Sequence, residues 1–556
     1  MSLKKDLINH IEEMANLMDF LGENKFKVSA FKNGSNTIRQ LTTDIEVMIA
    51  EDSLKEVKGI GKGLLTVIME YFDHGYSSEH ERLLEEVPKG ITEVFKVRGL
   101  GAKKIKSLYD ELKIRNLEDL EVACKDRKII NVKGFTANTV EKILAEIERI
   151  RSAKGYIHLH RADKVVKILS DILAELDSVI QYSVSGDFRR GMEIISELIF
   201  CCHVSNKITF EEELAKLFPI KTLTDSSENV IEFEFDSKIS PKIFISENES
   251  EYFRNLFRTT GSNEFIEDLV FEKEDLASEE ELFELNNMRV IIPEMREKEY
   301  LDAPEHLRDN SNLTFDNFKG LMHFHTTYSD GLNTLEEMVV EAKNLGFSYA
   351  AVCDHSKTAF YANGLSEKRI LLQKKEIEEL SSSLDFTIFQ GIESDILNDG
   401  SLDYEDEVLK MFDFIVASIH SNFSMDEAKM TSRIIKAIEN PYTDVLGHPT
   451  GRLLLSRDPF PHNIHKIIDA CAANNVAIEL NANPHRLDLD WRHIYYARGK
   501  GCKFSINADA HSTEGLIDHK YGIKVARKGG MQVLDVINCY DKTMFIEFIN
   551  RKVKRN

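Results

Sequence analysis

Leu321-Met322-His323-Phe324-His325-Thr326-Thr327-Tyr328-Ser329-Asp330-Gly331 joins an apolar run to two histidines spaced H-x-H and an aspartate in the following loop. An H-x-H pair at a strand end puts both imidazoles on one face of the pleat, where they can hold one ion together. Alone the pair is a weak signal. Downstream, apolar runs alternate with amphipathic helical stretches: Tyr349 to Cys353, Phe386 to Gly391, Phe414 to Ser418, Asp444 to Leu446, Val476 to Leu480 and Cys502 to Ile506. With Leu321 to His325 as the first run, this alternation predicts a parallel β/α barrel.

Chemistry in such a barrel gathers where the loops after the strands converge on the axis. The residues at those places are His323, His325, Asp330, His355, Glu393, His420, His448, Asp509 and His511, all of metal-ligating types. Burying so many polar groups would be costly without ions to coordinate, so the pattern predicts a metal centre. Imidazole and carboxylate donors suit zinc, manganese or iron and leave that choice open.

These residues also carry a specific resemblance. The stretch from His323 to Gly331, Cys353-Asp354-His355-Ser356-Lys357, Gly391-Ile392-Glu393, Gly447-His448-Pro449-Thr450-Gly451-Arg452 and Asn507-Ala508-Asp509-Ala510-His511 are similar to the motifs of the PHP (polymerase and histidinol phosphatase) domain. The version resembled most is the C-terminal domain of bacterial family X DNA polymerases. The resemblance implies a distorted (β/α)7 barrel with three divalent metal ions, manganese being favoured for activity. By motif position His323, His325, Glu393 and Asp509 would hold the first ion. Glu393, as a bridge, would hold the second with His420 and His448, and Asp330, His355 and His511 the third. Closely spaced divalent ions clamp phosphate oxygens and activate water, so no protein nucleophile is required. Lys357 and Arg452 lie beside ligand loops and read equally as phosphate-holding cations or as solvated charges.

Upstream, the first 150 residues read as helices broken by three similar turns. These are Glu56-Val57-Lys58-Gly59-Ile60-Gly61-Lys62-Gly63, Lys96-Val97-Arg98-Gly99-Leu100-Gly101-Ala102-Lys103-Lys104 and Asn131-Val132-Lys133-Gly134-Phe135-Thr136. They resemble the helix-hairpin-helix motif, whose glycines let backbone N–H groups approach a DNA phosphate. Gly59, Gly61 and Lys62, with Gly99, Gly101 and Lys103, fit best, and the third copy is weaker because it lacks the second glycine. Binding of this kind is independent of DNA sequence. The lysine that forms a Schiff base in lyase-competent family X members corresponds to Val67, so lyase activity is not carried over.

Between these ends, Ser185-Gly186-Asp187-Phe188-Arg189-Arg190-Gly191-Met192-Glu193 is similar to a family X polymerase segment that precedes a D-x-D pair. Here that pair is Glu197-Leu198-Ile199, and isoleucine offers no oxygen to a hard cation. The third family carboxylate corresponds to Glu232. Asp187 stands where a serine is expected near the incoming triphosphate, adding repulsion to an anion site. These departures predict a degenerate polymerase centre made up of Arg189, Arg190, Glu197, Ile199 and Glu232, with poor provision for magnesium.

The resulting expectation is a multidomain chain. A helical helix-hairpin-helix region spans 1–90 (8-kDa-like) and 91–150 (fingers-like), an α+β nucleotidyltransferase-like middle spans 151–302, a linker 303–319 and the barrel 320–556. The net charge of −23 is uneven: residues 1–150 hold 24 Lys+Arg against 26 Asp+Glu, residues 151–320 hold 20 against 35, and residues 321–556 hold 27 against 33. An acidic middle makes a repair-protein partner conceivable there and argues against DNA binding over the whole surface. The acidic run at Glu279 reads as a solvated helix start, and Arg551 to Arg555 as a solvated basic end. The seven cysteines show no C-x-x-C spacing, and neither a signal peptide nor a long apolar segment is present, which fits a cytoplasmic protein without membrane contact. The functional expectation is a metal-dependent DNA 3′-5′ exonuclease or 3′-end and abasic-site phosphodiesterase of DNA repair. The alternatives are a histidinol-phosphatase-like phosphomonoesterase, a still-active polymerase and a non-catalytic DNA-binding scaffold.

Overall fold

A computed structural model describes residues 3–41, 45–218, 220–224, 229–233, 235, 239–273 and 275–551. The chain forms two compact units, residues 1–154 and 155–556.

The first unit is helical, and its core is built from stripes such as Ile11, Met14, Ala15 and Met18 along helix Leu3–Leu21. Its three glycine turns share one backbone path. The Ile60, Leu100 and Phe135 N–H groups donate to the Val57, Val97 and Val132 carbonyls at 3.1, 3.2 and 3.2 Å. Gly59, Gly99 and Gly134 sit between these partners at φ of 106°, 83° and 93°, a region that favours glycine. Each turn then opens a helix: α1 (Lys62–His74), α2 (Ala102–Leu112) and α3 (Ala137–Ser152). The third turn, expected to be weaker, thus has the geometry of the other two and differs in chemistry. Its N-cap Thr136 accepts the Thr139 N–H at 3.3 Å, whereas the N-caps Gly61 and Gly101 have no side chain to do so. Val67 is buried in α1.

The second unit begins with a five-stranded mixed sheet made of β1 (Val179–Ser185), β2 (Ile199–Val204), β3 (Ile220–Thr224), β4 (Val230–Phe233) and β5 (Lys242–Ser246). Its order is β1-β2-β5-β4-β3, with β2 and β5 parallel and the other neighbours antiparallel.

Seven parallel strands follow in sequential order: β6 (Gly320–Met322), β7 (Tyr349–Val352), β8 (Thr387–Asp395), β9 (Phe414–Ser418), β10 (Val445–Leu446), β11 (Ala477–Asn481) and β12 (Phe504–Asn507). The last strand returns to the first, where His325 N–H donates to Ala510 O at 2.8 Å. Asn538 bridges the remaining gap: its side chain accepts from Ile506 N–H at 2.8 Å and donates to Gly320 O at 3.3 Å, replacing missing ladder bonds. One end of the barrel is filled by Phe545, whose ring lies 5.0, 5.1 and 5.6 Å from those of Tyr349, Phe389 and Phe414. The ligand-bearing loops lie at the C-terminal ends of the strands.

Three local expectations change. Residues 303–319 form a packed strap, with Leu313 and Phe318 buried and Leu313 O accepting from Arg527 at 3.1 Å. Glu279 is buried between two arginines, not solvated, because each guanidinium needs an anion there. Arg551 pairs with Asp444 at 3.1 Å and donates to Asn475 O at 2.9 Å, while Lys552 to Arg555 lie outside the described residues. Among the described residues no cysteine forms a disulfide and no helix is long and apolar enough to cross a membrane.

Candidate metal centre

The first strand ends at Met322, earlier than the pattern suggests, because His323 turns into the left-handed region at φ 52°. The H-x-H pair is therefore carried on a kink beyond the pleat, with the two ring centroids 5.4 Å apart. His448 and Asp509 also have positive φ, 22° and 52°. Strain of this kind persists only where the surrounding structure fixes it, and here it sits on three of the expected ligands. Glu393 lies inside β8, which continues to Asp395, so its carboxylate projects from a strand held on both sides.

That carboxylate is the centre of the arrangement. Glu393 Oε1 lies 3.0 Å from His448 Nε2, 3.2 Å from His420 Nε2 and 3.4 Å from His323 Nε2. Its Oε2 lies 2.9 Å from His355 Nδ1 and 3.6 Å from His325 Nε2. Asp509 reaches His325 Nε2 at 3.0 Å and His323 Nε2 at 3.7 Å. Asp330 stands 3.4 Å from His511 Nε2, 3.6 Å from His355 Nε2 and 3.9 Å from His325 Nδ1. All nine residues expected from the sequence meet at this mouth. Three overlapping groups have ligand atoms close enough to share an ion: His323 with His325 and Glu393, His355 with Glu393 and His420, and His325 with Asp330, His355 and His511.

The charges explain why such a cluster calls for cations. Burial alone would raise Glu393, yet His420, His323 and His355 hold it well below the carboxylate range. Burial opposes protonation of His420 and His511, but their carboxylate neighbours push them up to about 10 and about 9. His325, buried beside His511 and His355, is pulled down to about 3. The buried carboxylates thus call for positive charge, which the lowered His325 does not supply. Even so, His323 Nε2, His355 Nδ1, His448 Nδ1 and Glu393 Oε2 are buried with no hydrogen-bond partner. Unpaired nitrogen and oxygen atoms converging in this way fit divalent ions.

The sequence reading missed the residues behind the ligands. Glu479, fully buried on β11, takes His323 Nδ1 at 2.5 Å, the His448 N–H at 2.7 Å and Asn507 Nδ2 at 2.8 Å. Asp395 takes His420 Nδ1 at 2.5 Å and the Thr358 hydroxyl at 2.9 Å. Asp354 accepts the Thr326 and Ser329 N–H groups at 2.8 and 3.1 Å and so shapes the loop that carries Asp330. Such carboxylates fix the orientation of ligating imidazoles. The available signal was a charged residue in an apolar strand, Ala477-Ile478-Glu479-Leu480-Asn481. Arg486, also missed, points its Nε at Asp509 Oδ2 from 3.7 Å.

Arg452 requires correction. It is buried, and it donates to Asp490 at 2.6 Å, to Arg486 O at 3.0 Å, to Glu193 at 3.2 Å and to Leu487 O, so it is neither solvated nor free for a phosphate. It ties the barrel to Glu193 of the middle region. Lys357 is half-buried at the rim, 3.3 Å from Glu367 and over the Tyr404 ring.

The polymerase-like face lacks a comparable cluster among the described residues. Ile199, Lys242 and Glu232 pair in one row across β2, β5 and β4. Ile199 packs against Gly186, which has φ 62°, while Lys242 Nζ lies 2.6 Å from Glu197. An ammonium occupies the middle of the row. Arg189 donates two parallel hydrogen bonds to Glu279 at 2.6 and 3.0 Å, and Arg190 pairs with Asp187 and, at 3.1 Å, with Glu297.

A seven-stranded parallel barrel with this mouth defines the fold class as a PHP barrel. The PHP domain family matches residues 322–483, short of Asp509 and His511, which the geometry adds. A helix-hairpin-helix domain matches residues 2–77, and a SAM-like helix-hairpin-helix tandem residues 91–149. Over 96% of the chain and 97% of the relative, the sequence is 33% identical to the DNA polymerase/3'-5' exonuclease PolX of Bacillus subtilis (strain 168). The chain belongs to this PolX family of family X DNA polymerases with a PHP domain. The barrel region is also similar to a probable phosphatase of Thermoanaerobacter sp. (strain X514), 26% identical over 42% of the chain and 95% of the relative. A probable phosphatase of Acetivibrio thermocellus is 31% identical over 29% of the chain and 63% of the relative.

Proposed function

We propose that this protein is a metal-dependent DNA phosphodiesterase that removes nucleotides in the 3′-to-5′ direction and processes 3′ ends in repair, and that its polymerase activity is lost. The observation that carries the proposal is the Glu393 carboxylate, buried with its two oxygens facing five imidazoles. Residues His323, His325, Glu393 and Asp509, then His420 and His448 with Glu393, then Asp330, His355 and His511 would hold three ions. Divalent ions bound there supply Lewis acidity towards phosphate oxygens, and manganese, zinc and iron all suit the donors.

The chain's own groups do the positioning. Glu479 and Asp395 hold the imidazoles of His323 and His420 in orientation. Arg486 places a guanidinium where it can meet a phosphate oxygen, the role first considered for Arg452. The first two glycine turns offer the uncapped N–H groups of α1 and α2 to DNA phosphates, with Lys62 and Lys103 beside them. The name of the Bacillus relative supports the reading of a DNA polymerase/3'-5' exonuclease.

The middle region supports loss of synthesis. With Lys242 between Ile199 and Glu232, and with Arg189 and Arg190 committed to internal carboxylates, neither magnesium nor a triphosphate finds its usual partners. The acidic middle is open to a protein partner, which pull-down with the purified chain would detect. The nuclease reading is tested on a 3′-labelled oligonucleotide with manganese. Stepwise shortening by the native chain, abolished by His323→Ala with His325→Ala while DNA binding persists, is expected. Unchanged cleavage by that double variant would sink the assignment. Cleavage of small monoesters alone would favour the phosphatase reading instead.

A further inference from the structure

Beside the metal centre the short turn Phe360–Ala362 displays two large rings to solvent. Phe360 is 86% and Tyr361 71% exposed, while their neighbours Ala359 and Ala362 are buried. The Tyr361 ring centroid lies 6.2 Å from that of His355, one of the expected ligands, at an interplanar angle of 59°. A loop that buries its alanines and exposes its aromatics runs against the apolar transfer that folding favours.

The loop is also firmly held. The Thr358 N–H donates to Asp403 at 2.7 Å, and its hydroxyl donates to Asp395 at 2.9 Å, the same carboxylate that orients His420. Asn363, in the left-handed region at φ 54°, donates to Ser329 O at 3.3 Å, and Arg369 donates to Asn363 O at 2.7 Å. The loop that carries the two rings is therefore anchored to the metal-binding loops on either side. Each costs little further ordering when something stacks on it.

We propose that Phe360 and Tyr361 form a stacking platform for unpaired nucleobases at the 3′ end of the strand being cleaved. This rests on the DNA phosphodiesterase reading and deepens it by naming the side chains that hold the terminal bases of the strand. Aromatic faces accept every base, so such a platform gives affinity without sequence preference. A paired terminus would have to unpair first, which makes mismatched and single-stranded ends the better substrates. Asp395 links the loop that carries the rings to His420 through the Thr358 hydroxyl.

The test compares native protein, Phe360→Ala, Tyr361→Ala and the double variant on a 3′-labelled single-stranded oligonucleotide with manganese. The expected result is a KM raised about 10- to 100-fold in the double variant with kcat reduced far less. Phe360→Trp and Tyr361→Phe should keep the native KM, which a merely structural role for the loop would not predict. A second oligonucleotide carries abasic sites at its last two positions. The native protein should bind it more weakly, and the alanine variants should lose little more, so the two losses do not add. Additive losses, or native KM values in the alanine variants, would overturn the platform while leaving the nuclease reading intact. Failure of the native chain to cut either oligonucleotide would instead reject the nuclease reading.

Discussion

The mouth of the barrel and the face of the middle sheet both gather charged side chains, yet they balance charge in opposite ways. At the mouth, Glu393, Asp330 and Asp509 face imidazoles, and several ligand atoms stay buried without a hydrogen-bond partner. On the sheet, Lys242 stands in the row between Ile199 and Glu232 and pairs with Glu197. Arg189 and Arg296 share Glu279, while Arg190 and Lys528 share Glu297. Buried polar atoms left without partners are expensive, so they persist where a ligand completes them. Apart from Arg190 Nε, which lies 3.1 Å from Glu297 without a hydrogen bond, these ion pairs close on themselves and need no ligand. The contrast is one of charge balance, and it is the ground on which the two regions are proposed to differ in activity.

The contrast can be broken first at the mouth. Replacing His323 and His325 by alanine should remove hydrolysis of 3′-labelled DNA to background, and metal analysis of the variant should show fewer bound ions than the native protein.

On the sheet side the effect should fall on stability. Glu279→Ala leaves Arg189 and the buried Arg296 without their shared anion, and a loss of about 3–5 kcal/mol is expected. Denaturant unfolding followed by circular dichroism measures it. A loss below about 1 kcal/mol would mean that these pairs are not the internal brace described here.

A smaller effect sharpens the account of the mouth. Glu479→Gln keeps the volume but weakens the hold on the His323 ring, so manganese affinity or activity should fall about 10- to 100-fold, read from a manganese titration of hydrolysis.

The mildest case lies where the middle region meets the barrel. Lys524 stands over the Phe188 ring, and burial brings it down to about 8. Its folded pKa lies below the 10.5 of an ordinary lysine, so the native state binds fewer protons between those values and stability rises with pH there. Lys524→Met should therefore raise the Tm at pH 7, and the advantage should shrink towards pH 10. A constant difference across that range would contradict the assignment.

Much of the mouth was legible because barrel strands end in loops, and metal-ligand types recurring at six such ends are hard to explain otherwise. What escaped the sequence is what depends on neighbours far apart in the chain. Arg452 reads as a rim cation until Asp490 and Glu193 are seen around it. Glu479 looks like one more residue in an apolar run, and only the fold brings it behind His323 and His448. The third glycine turn was ranked below the others for its missing glycine, although φ at Gly134 is what sets the backbone and Thr136 fits the extended N-cap equally well. Ile199 can be read from the sequence alone, whereas the place of Lys242 in the same row required the register of β2, β4 and β5.

The most direct test of the central claim is a primer–template with manganese and all four nucleotides, the primer labelled at its 5′ end and its length followed on a gel. The account predicts shortening only, abolished by His323→Ala with His325→Ala and unaffected by Glu197→Ala. Template-dependent lengthening that disappears with Glu197→Ala would contradict it.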